Sequence, residues 1–175
     1  MASGTFYPAA SGDDGNWRTV GSWFSSNGAI LYMGDTDPGG EQQLTDTFIR
    51  FASISIPQGS VISTAYIKVY SIGSQSSNEP VLKIYGNDVD NATAPTSVAE
   101  SNALVLTTAY VDWTITGSWS HWTQYNGPEI KTVIQEIIDR GGWSSGNALQ
   151  LSIQENGSPS GEYRSIGAYD DSWSA

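Results

Sequence analysis

Between Ile62 and Tyr70 the chain alternates: Ala65, Ile67 and Val69 fall on one side of an extended backbone, and Ile62, Thr64, Tyr66, Lys68 and Tyr70 fall on the other. Successive side chains of a strand point to opposite faces, so such a segment has one face for a core and one for water. The Ala65, Ile67 and Val69 face is the expected core side. Ala148–Ile153 repeats the pattern, with Leu149, Leu151 and Ile153 opposed to Ala148, Gln150 and Ser152, and it runs into Asn156-Gly157, a hairpin-turn dipeptide. The same rhythm predicts strands near Thr5–Tyr7, Ala29–Met33, Thr47–Phe51, Val61–Tyr70, Val81–Tyr85, Tyr110–Thr114, Ala148–Ile153 and Tyr163–Ala168, separated by clusters of Gly, Ser, Asn and Asp. Short strands at this spacing imply an all-β sandwich or barrel.

One segment breaks the pattern. Ile130, Val133, Ile134, Ile137 and Ile138 recur at helical spacing and form a single apolar stripe. Pro128 suits a first turn, Glu129 complements the positive end of the helix dipole, and Gly141 after Arg140 suits a stop. The spacing therefore predicts one short α-helix over about 128–140 that caps one end of the sandwich, with Gln135, Glu136 and Asp139 in solvent. No internal repeat or low-complexity tract divides the chain, and 175 residues suit one domain, 1–175.

Seven basic residues stand against eighteen acidic ones, a formal net charge of -11. That balance repels nucleic acid and anionic lipid, so nucleic acid is not an expected partner. It serves solubility first and attraction of metal cations second. Cysteine is absent, which removes disulfides, thiolate nucleophiles and sulfur-ligated metals. No apolar run approaches the roughly 18 residues that cross a bilayer, so no membrane insertion is expected. Met1–Phe6 lacks a basic region followed by a hydrophobic stretch, yet 19 Gly, many Ser and Thr and 11% aromatic residues look extracellular. A phage protein released by lysis reconciles the two; a segment excised from a longer secreted protein would as well.

Four blocks follow one another along the chain: Ile62-Ser-Thr-Ala-Tyr-Ile67 after Pro57-Gln-Gly59, Ile84-Tyr-Gly-Asn-Asp-Val-Asp-Asn-Ala92, Val111-Asp-Trp113, and the run from Pro128 through Ile134-Gln-Glu136 to Arg140-Gly-Gly-Trp-Ser-Ser-Gly-Asn-Ala148. In their order and spacing the chain resembles the DNRLRE-type jelly-roll modules, which are similar to carbohydrate-binding modules that accompany polysaccharide lyases. It implies a jelly-roll β-sandwich of two antiparallel sheets with one short helix, used as a non-catalytic attachment or structural unit in phage virions and on cell surfaces. Modules of this type finish with an alternating strand beside the first. This chain stops at Tyr169-Asp-Asp-Ser-Trp-Ser-Ala175, so the final strand is expected to be missing or supplied by a neighbour. The open edge would favour a homo-oligomer such as a trimer.

Candidate chemistry is sparse. His121 is the only imidazole, and no Gly-x-Ser-x-Gly elbow supplies it with a nucleophile, so no catalytic residue is assigned. Asp112, between Val111 and Trp113, reads as the outward position of a strand. Oxygen-rich clusters occur at Gly12–Asn16, Asp35–Asp37 and Asn87–Asn91. Calcium takes six to eight such oxygens, and Asp13, Asp14, Asp88 and Asp90 are the candidate ligands of a structural calcium; the alternative is that these residues form turns. Trp17, Trp23, Trp119, Trp122 and Trp173 lie in polar contexts where an indole could stack on a sugar ring, whereas Trp113 and Trp143 read as core. Trp17, Trp23, Trp119 and Trp122 are taken as the carbohydrate-binding candidates.

The expected function is thus a non-catalytic extracellular module. A virion decoration or fibre protein is the first reading, a carbohydrate-binding module the second and a polysaccharide-active enzyme the third. Its expected partners are virion proteins or surface glycans, at a virion surface or outside a cell.

Overall fold

A computed structural model describes residues 3–19, 21–36, 43–74 and 79–171. Asp37 and Trp173 lie outside the described residues. The strands are β1 (Asp14–Arg18), β2 (Phe24–Ser25), β3 (Ile30–Asp35), β4 (Leu44–Phe51), β5 (Tyr66–Ser71), β6 (Val81–Asn87), β7 (Leu106–Thr114), β8 (Thr123–Glu129), β9 (Leu149–Glu155) and β10 (Tyr163–Gly167). Two helices, α1 (Val98–Asn102) and α2 (Lys131–Ile138), join them.

Pairing is antiparallel throughout, and it is nested: β6 with β7, β5 with β8, β4 with β9, and β3 with β10. This is the jelly-roll wrap that the sequence led us to expect, a long hairpin rolled on itself. One layer runs β2-β1-β4-β9-β6-β7 and the other β3-β10-β5-β8. The layers join at a corner where Leu44 and Thr45 of β4 pair with Asp35 and Gly34 of β3. Leu31, Met33, Ile67, Val69 and Ile166 of one layer and Ile49, Leu82, Ile84, Leu151 and Ile153 of the other are buried in a single core. Ala65 is partly buried against it, so the predicted inner face of Ala65, Ile67 and Val69 is the observed one.

Several boundaries differ from the sequence expectation. The helix begins at Lys131 and ends at Ile138, because Gly127 and Pro128 belong to β8. There β8 is the edge of the layer among the described residues, so the missing proline N–H leaves no ladder bond unmade. Gly127 is also required: a Cβ at that position would sit 2.6 Å from Ile67 Cγ2. Val133, Ile137 and Ile138 are buried, as the stripe requires, and Gly86 of β6 lets Ile137 approach, since a Cβ on Gly86 would lie 2.5 Å from Ile137 Cδ1. Glu136 is not a purely solvated residue: its two carboxylate oxygens accept the Thr108 and Ala109 N–H groups at 2.7 Å each. Gln135 likewise accepts the Ile62 N–H and donates to Ser60 O.

The last strand of the roll is β10. It lies between β3 and β5, with Arg164 opposite Met33 and Ile166 opposite both Leu31 and Ser71. The place beside β3 is therefore occupied by Tyr163–Gly167, the strand expected near Tyr163–Ala168; the end of the tail, on which the expectation of a missing final strand rested, lies outside the described residues. Arg164 points inward with Ile166 and is fully buried. The predicted strand at Thr5–Tyr7 is also corrected: residues 3–8 have no ladder partner.

At the corner, buried Asn16 of β1 takes the part of a short strand. Its side-chain amide donates to Tyr32 O at 2.9 Å and to Thr47 Oγ1 at 2.6 Å, while its carbonyl accepts the Tyr32 N–H at 2.8 Å. Removing these partners strands buried backbone groups, each costing about 1–3 kcal/mol. Asn16→Ala should lower the unfolding free energy by about 3 kcal/mol in urea titrations; a change within error would mean that the corner does not need the amide.

Candidate functional site

Alternation places Tyr66, Lys68 and Tyr70 of β5 on the outside of the second layer, and all three are exposed. The register sets Gln124 of β8 beside Tyr70 and Asn126 beside Lys68, and both are exposed as well. On the other side of β5, Tyr163 of β10 and Tyr32 of β3 point the same way and meet edge-on at 5.9 Å. The result is a broad sheet face of phenol rings interspersed with amide and ammonium donors. Trp122 begins the turn into β8, where its N–H donates to Ser71 O at 2.8 Å. Its indole is 41% exposed and carries the His121 ring stacked at 4.4 Å.

Such a face binds flat or ring-shaped groups. Aromatic rings offer broad area at low entropic cost, and the amides and Lys68 can answer hydroxyl or carboxylate groups. Alternation alone placed Tyr66 and Tyr70 outward, but nothing in the sequence paired them with Gln124 and Asn126.

The tryptophans singled out from sequence do not form one platform. Trp17 is 1% exposed, donates its Nε1–H to Asn102 Oδ1 at 2.9 Å, and packs beside Phe48. Trp119 is 6% exposed, stacked on Tyr125 at 4.5 Å with the Arg164 guanidinium 5.4 Å from its ring. Neither can stack on a sugar, because each is an anchor that holds a polar loop to the core; this corrects both expectations. Trp23 is 37% exposed beneath Arg18, and Trp122 is the other exposed candidate, but they belong to different layers. Trp113 and Trp143 are buried, as expected.

The acidic loops are occupied by guanidinium groups. Asp13 is bound by Arg50 Nη1 at 2.5 Å, and Arg140 reaches Asp88 through Nη1 at 2.5 Å and Asp90 through Nε at 2.7 Å. Hydrogen bonds to Asp88 and then to Asp90 raise the Arg140 pKa above its ordinary value. Gly142 makes room for the pair, since a Cβ there would fall 2.0 Å from Asp90 Oδ2. Asp14 accepts the Tyr169 N–H at 2.7 Å, with Asp170 and Asp13 close by. No group of three or more His, Cys, Asp or Glu placed to hold a metal occurs among the described residues. A calcium ion at Asp88 and Asp90 would have to displace Arg140.

Two acids are held in unusual states. Burial pushes Asp46 of β4 up to about 7, against the lowering effect of the Glu155 N–H, which its Oδ1 accepts at 2.7 Å. Burial likewise lifts Asp14 to about 6, with the Tyr169 N–H opposing. Neither has a histidine or serine within hydrogen-bond reach among the described residues. Asp112 is exposed on β7 opposite Lys83, the outward position expected for it. His121 is exposed, and no hydrogen bond joins its ring to a serine or a carboxylate among the described residues. Compared with known protein families and with curated proteins, the chain matches none.

Asp46 and Asp14 keep protons in the folded chain that the unfolded chain releases near the ordinary carboxylate value of 3.8. Their contribution to stability is therefore complete below about pH 4 and is lost as the pH rises through 6 and 7. Asp46→Asn keeps the acceptor for Glu155 and removes the ionisation, so it should raise Tm by several degrees at pH 8 and by little at pH 4. A difference independent of pH would contradict the burial argument. Because arginines already neutralise the loop carboxylates, a chelator should leave Tm unchanged in calorimetry, whereas Arg140→Gln should lower it.

Proposed function

We propose that the chain is a non-catalytic attachment module displayed on an outer surface, and that the outer face of β8, β5, β10 and β3 is the surface it presents. The observation that carries this reading is the exposed set Tyr66, Lys68, Tyr70, Gln124 and Asn126 on one layer. Elsewhere, the groups that could suggest chemistry are tied into the fold: Arg50 and Arg140 hold the loop acids, and Asp46 serves as a backbone acceptor. The resemblance to DNRLRE-type modules and the acidic, cysteine-free composition support a virion decoration or fibre protein as the setting. No helix among the described residues is long and apolar enough to cross a membrane.

A second reading, a carbohydrate-binding module, is favoured by one feature. Tyr66 and Tyr70 flank Lys68 on one strand and give ring-stacking surfaces on both sides of a cationic donor. Their spacing along a strand is about 13 Å, which suits a linear glycan spanning more than one sugar. The two readings share the face and differ in its target. A polysaccharide-active enzyme is third, supported only by the many carboxylates, and turnover of a polysaccharide by pure protein would promote it.

The experiment is binding to glycan arrays and insoluble polysaccharides, compared with co-sedimentation on phage particles. Tyr66→Ala together with Tyr70→Ala should weaken whichever binding is found at least about tenfold, in line with truncation of aromatic hot spots. Trp23→Ala, on the other layer, should leave it unchanged. Array binding assigns a glycan; a silent array with co-sedimentation assigns a protein coat; binding untouched by the tyrosine pair would remove the proposed face.

A further inference from the structure

The seams of the roll are unequal. β9 and β6 are paired continuously from Leu82 opposite Glu155 to Gly86 opposite Leu151. Between β10 and β5 the ladder is reduced to the pair Ile166 and Ser71, with one further bond just past it from the Ile72 N–H to Ser165 O at 3.3 Å. Beyond that pair, β10 ends at Gly167 and the chain turns away, the Ala168 N–H going to Ala29 O and the Tyr169 N–H to Asp14. The edge of β5 from Tyr66 to Tyr70 that faces β10 thus has no strand partner among the described residues. A slit of about 750 Å³ opens there into the core, walled by Leu31, Ile49, Ile67, Val69, Leu151 and Ile166.

Residues Ser3–Pro8 line this slit. Phe6 is partly buried against the core, while Thr5 and Tyr7 beside it are exposed, so the segment has the alternation of a strand. Yet it makes no backbone hydrogen bond to the body among the described residues. The reason lies in its root. The Ala9 N–H is bound to Asp13 Oδ2 at 3.0 Å and the Asp13 N–H to Ala10 O at 2.9 Å, which pins the start of the arm beside β1 and fixes its angle. Within one chain the arm inserts a ring but does not run along β5.

We propose that the slit is the receptor for the Ser3–Pro8 arm of a second copy of the chain, which enters as a strand on the open edge of β5 with its Phe6 in the slit. An arm arriving from another copy is free of the local root. It can make the same apolar contact and add the backbone hydrogen bonds that the chain's own arm leaves unmade, which is the differential interaction that any shift in equilibrium needs. Exchange of an identical element loses no contact that the single chain possesses. Reciprocal exchange closes a dimer, and head-to-tail exchange closes a ring such as a trimer. The partner is thus a second copy, joined at β5 rather than beyond β10. The inference adds an assembly mode to the attachment reading and needs no knowledge of what the tyrosine face binds.

The test uses the absence of natural cysteines. Full-length Ser3→Cys and Thr64→Cys chains, both altered at positions that line the slit, are mixed and treated with a short bismaleimide. Arm exchange predicts a product of twice the chain mass, in several-fold excess over that from either variant alone, and a concentration-dependent oligomer in mass photometry of the unmodified chain. Phe6→Ala on the Ser3→Cys chain should lower the yield about fivefold or more. Since that variant can also loosen the core, Thr5→Pro provides the second readout: it removes a donor that the chain's own arm does not use, so Tm should hold while the cross-link falls. The proposal is overturned if the mixed pair gives no excess product, if the chain stays monomeric at every concentration, or if Thr5→Pro leaves the yield unchanged. Failure here would not touch the array and sedimentation results, which are read separately.

Discussion

Where β4 leaves the side of β9 and meets β3, two layers have to turn a corner without abandoning backbone polar groups in an apolar interior. Asn16 answers that demand. Its amide holds Tyr32 O and Thr47 Oγ1, its carbonyl holds the Tyr32 N–H, and Thr47 Oγ1 adds a further bond to Tyr32 O at 2.9 Å. In a low-dielectric site such a network is strong when complete and costly when broken. The consequence is geometric: with β3 fixed against β1 and β4, β10 has only one place beside it, and the second layer must carry its tyrosines outward. The orientation of the proposed face is thus tied to a polar contact at the corner, made to the backbone of one of its own strands.

Charge is distributed by the same economy of internal partners. With so few basic residues in an acidic chain, three of the arginines are spent on internal partners, while Lys68 stays exposed. Arg50 joins Asp13 to Ala92 O, Arg140 spans Asp88 and Asp90, and Arg164 donates from Nη2 to Gly117 O at 2.7 Å beside the Trp119 ring. Burial lowers the Arg164 pKa, and the charges of Glu162 and Glu79 pull it back. This guanidinium reaches across the interior to the loop before β8, which explains why Trp119 is an anchor and not a platform. Asp14, Asp35 and Asp46 are buried, while acids such as Asp112 and Asp139 stay exposed, where like charges repel one another.

The sequence made the layers legible and left the site largely hidden, for physical reasons that attach to particular residues. Period-two burial at Ala65–Val69 and the helical stripe from Ile130 to Ile138 are local and need no tertiary information, whereas Leu149–Ile153 alternates in sequence but is buried on both faces, Gln150 and Ser152 included. β8 escaped because Gly127 and Pro128 look like a helix entry when the partner strand is unknown. β1 escaped because Asp14-Gly-Asn-Trp-Arg18 has no apolar alternation; its Asn16 is buried for hydrogen bonding and its Gly15 for room, a Cβ there lying 2.5 Å from Ser25 O. The acidic loops read equally well as calcium ligands or as turns, since pairing Asp88 and Asp90 with Arg140 depends on residues about fifty positions apart. Trp17 and Trp119 misled because a polar neighbourhood in sequence says nothing of what lies underneath.

A nested roll closes each hairpin by itself, but its seams, where one hairpin lies against the next, depend on register across long stretches of chain. In the first layer the seam between β9 and β6 is zipped, and the outer side of that layer is further covered by the connection that carries α1, to which Trp17 is tied through Asn102. In the second layer the ladder between β10 and β5 is reduced to one residue pair and the adjoining Ile72 N–H to Ser165 O bond, and Tyr66, Lys68 and Tyr70 stay exposed on its outside. Exposed rings, an unpartnered strand edge and an entrance to the core therefore gather on the same layer. Backbone groups at an open edge seek a partner, and exposed aromatic area seeks a flat one. The layer that the fold leaves least finished is the one that carries both the proposed attachment face and the proposed receptor edge.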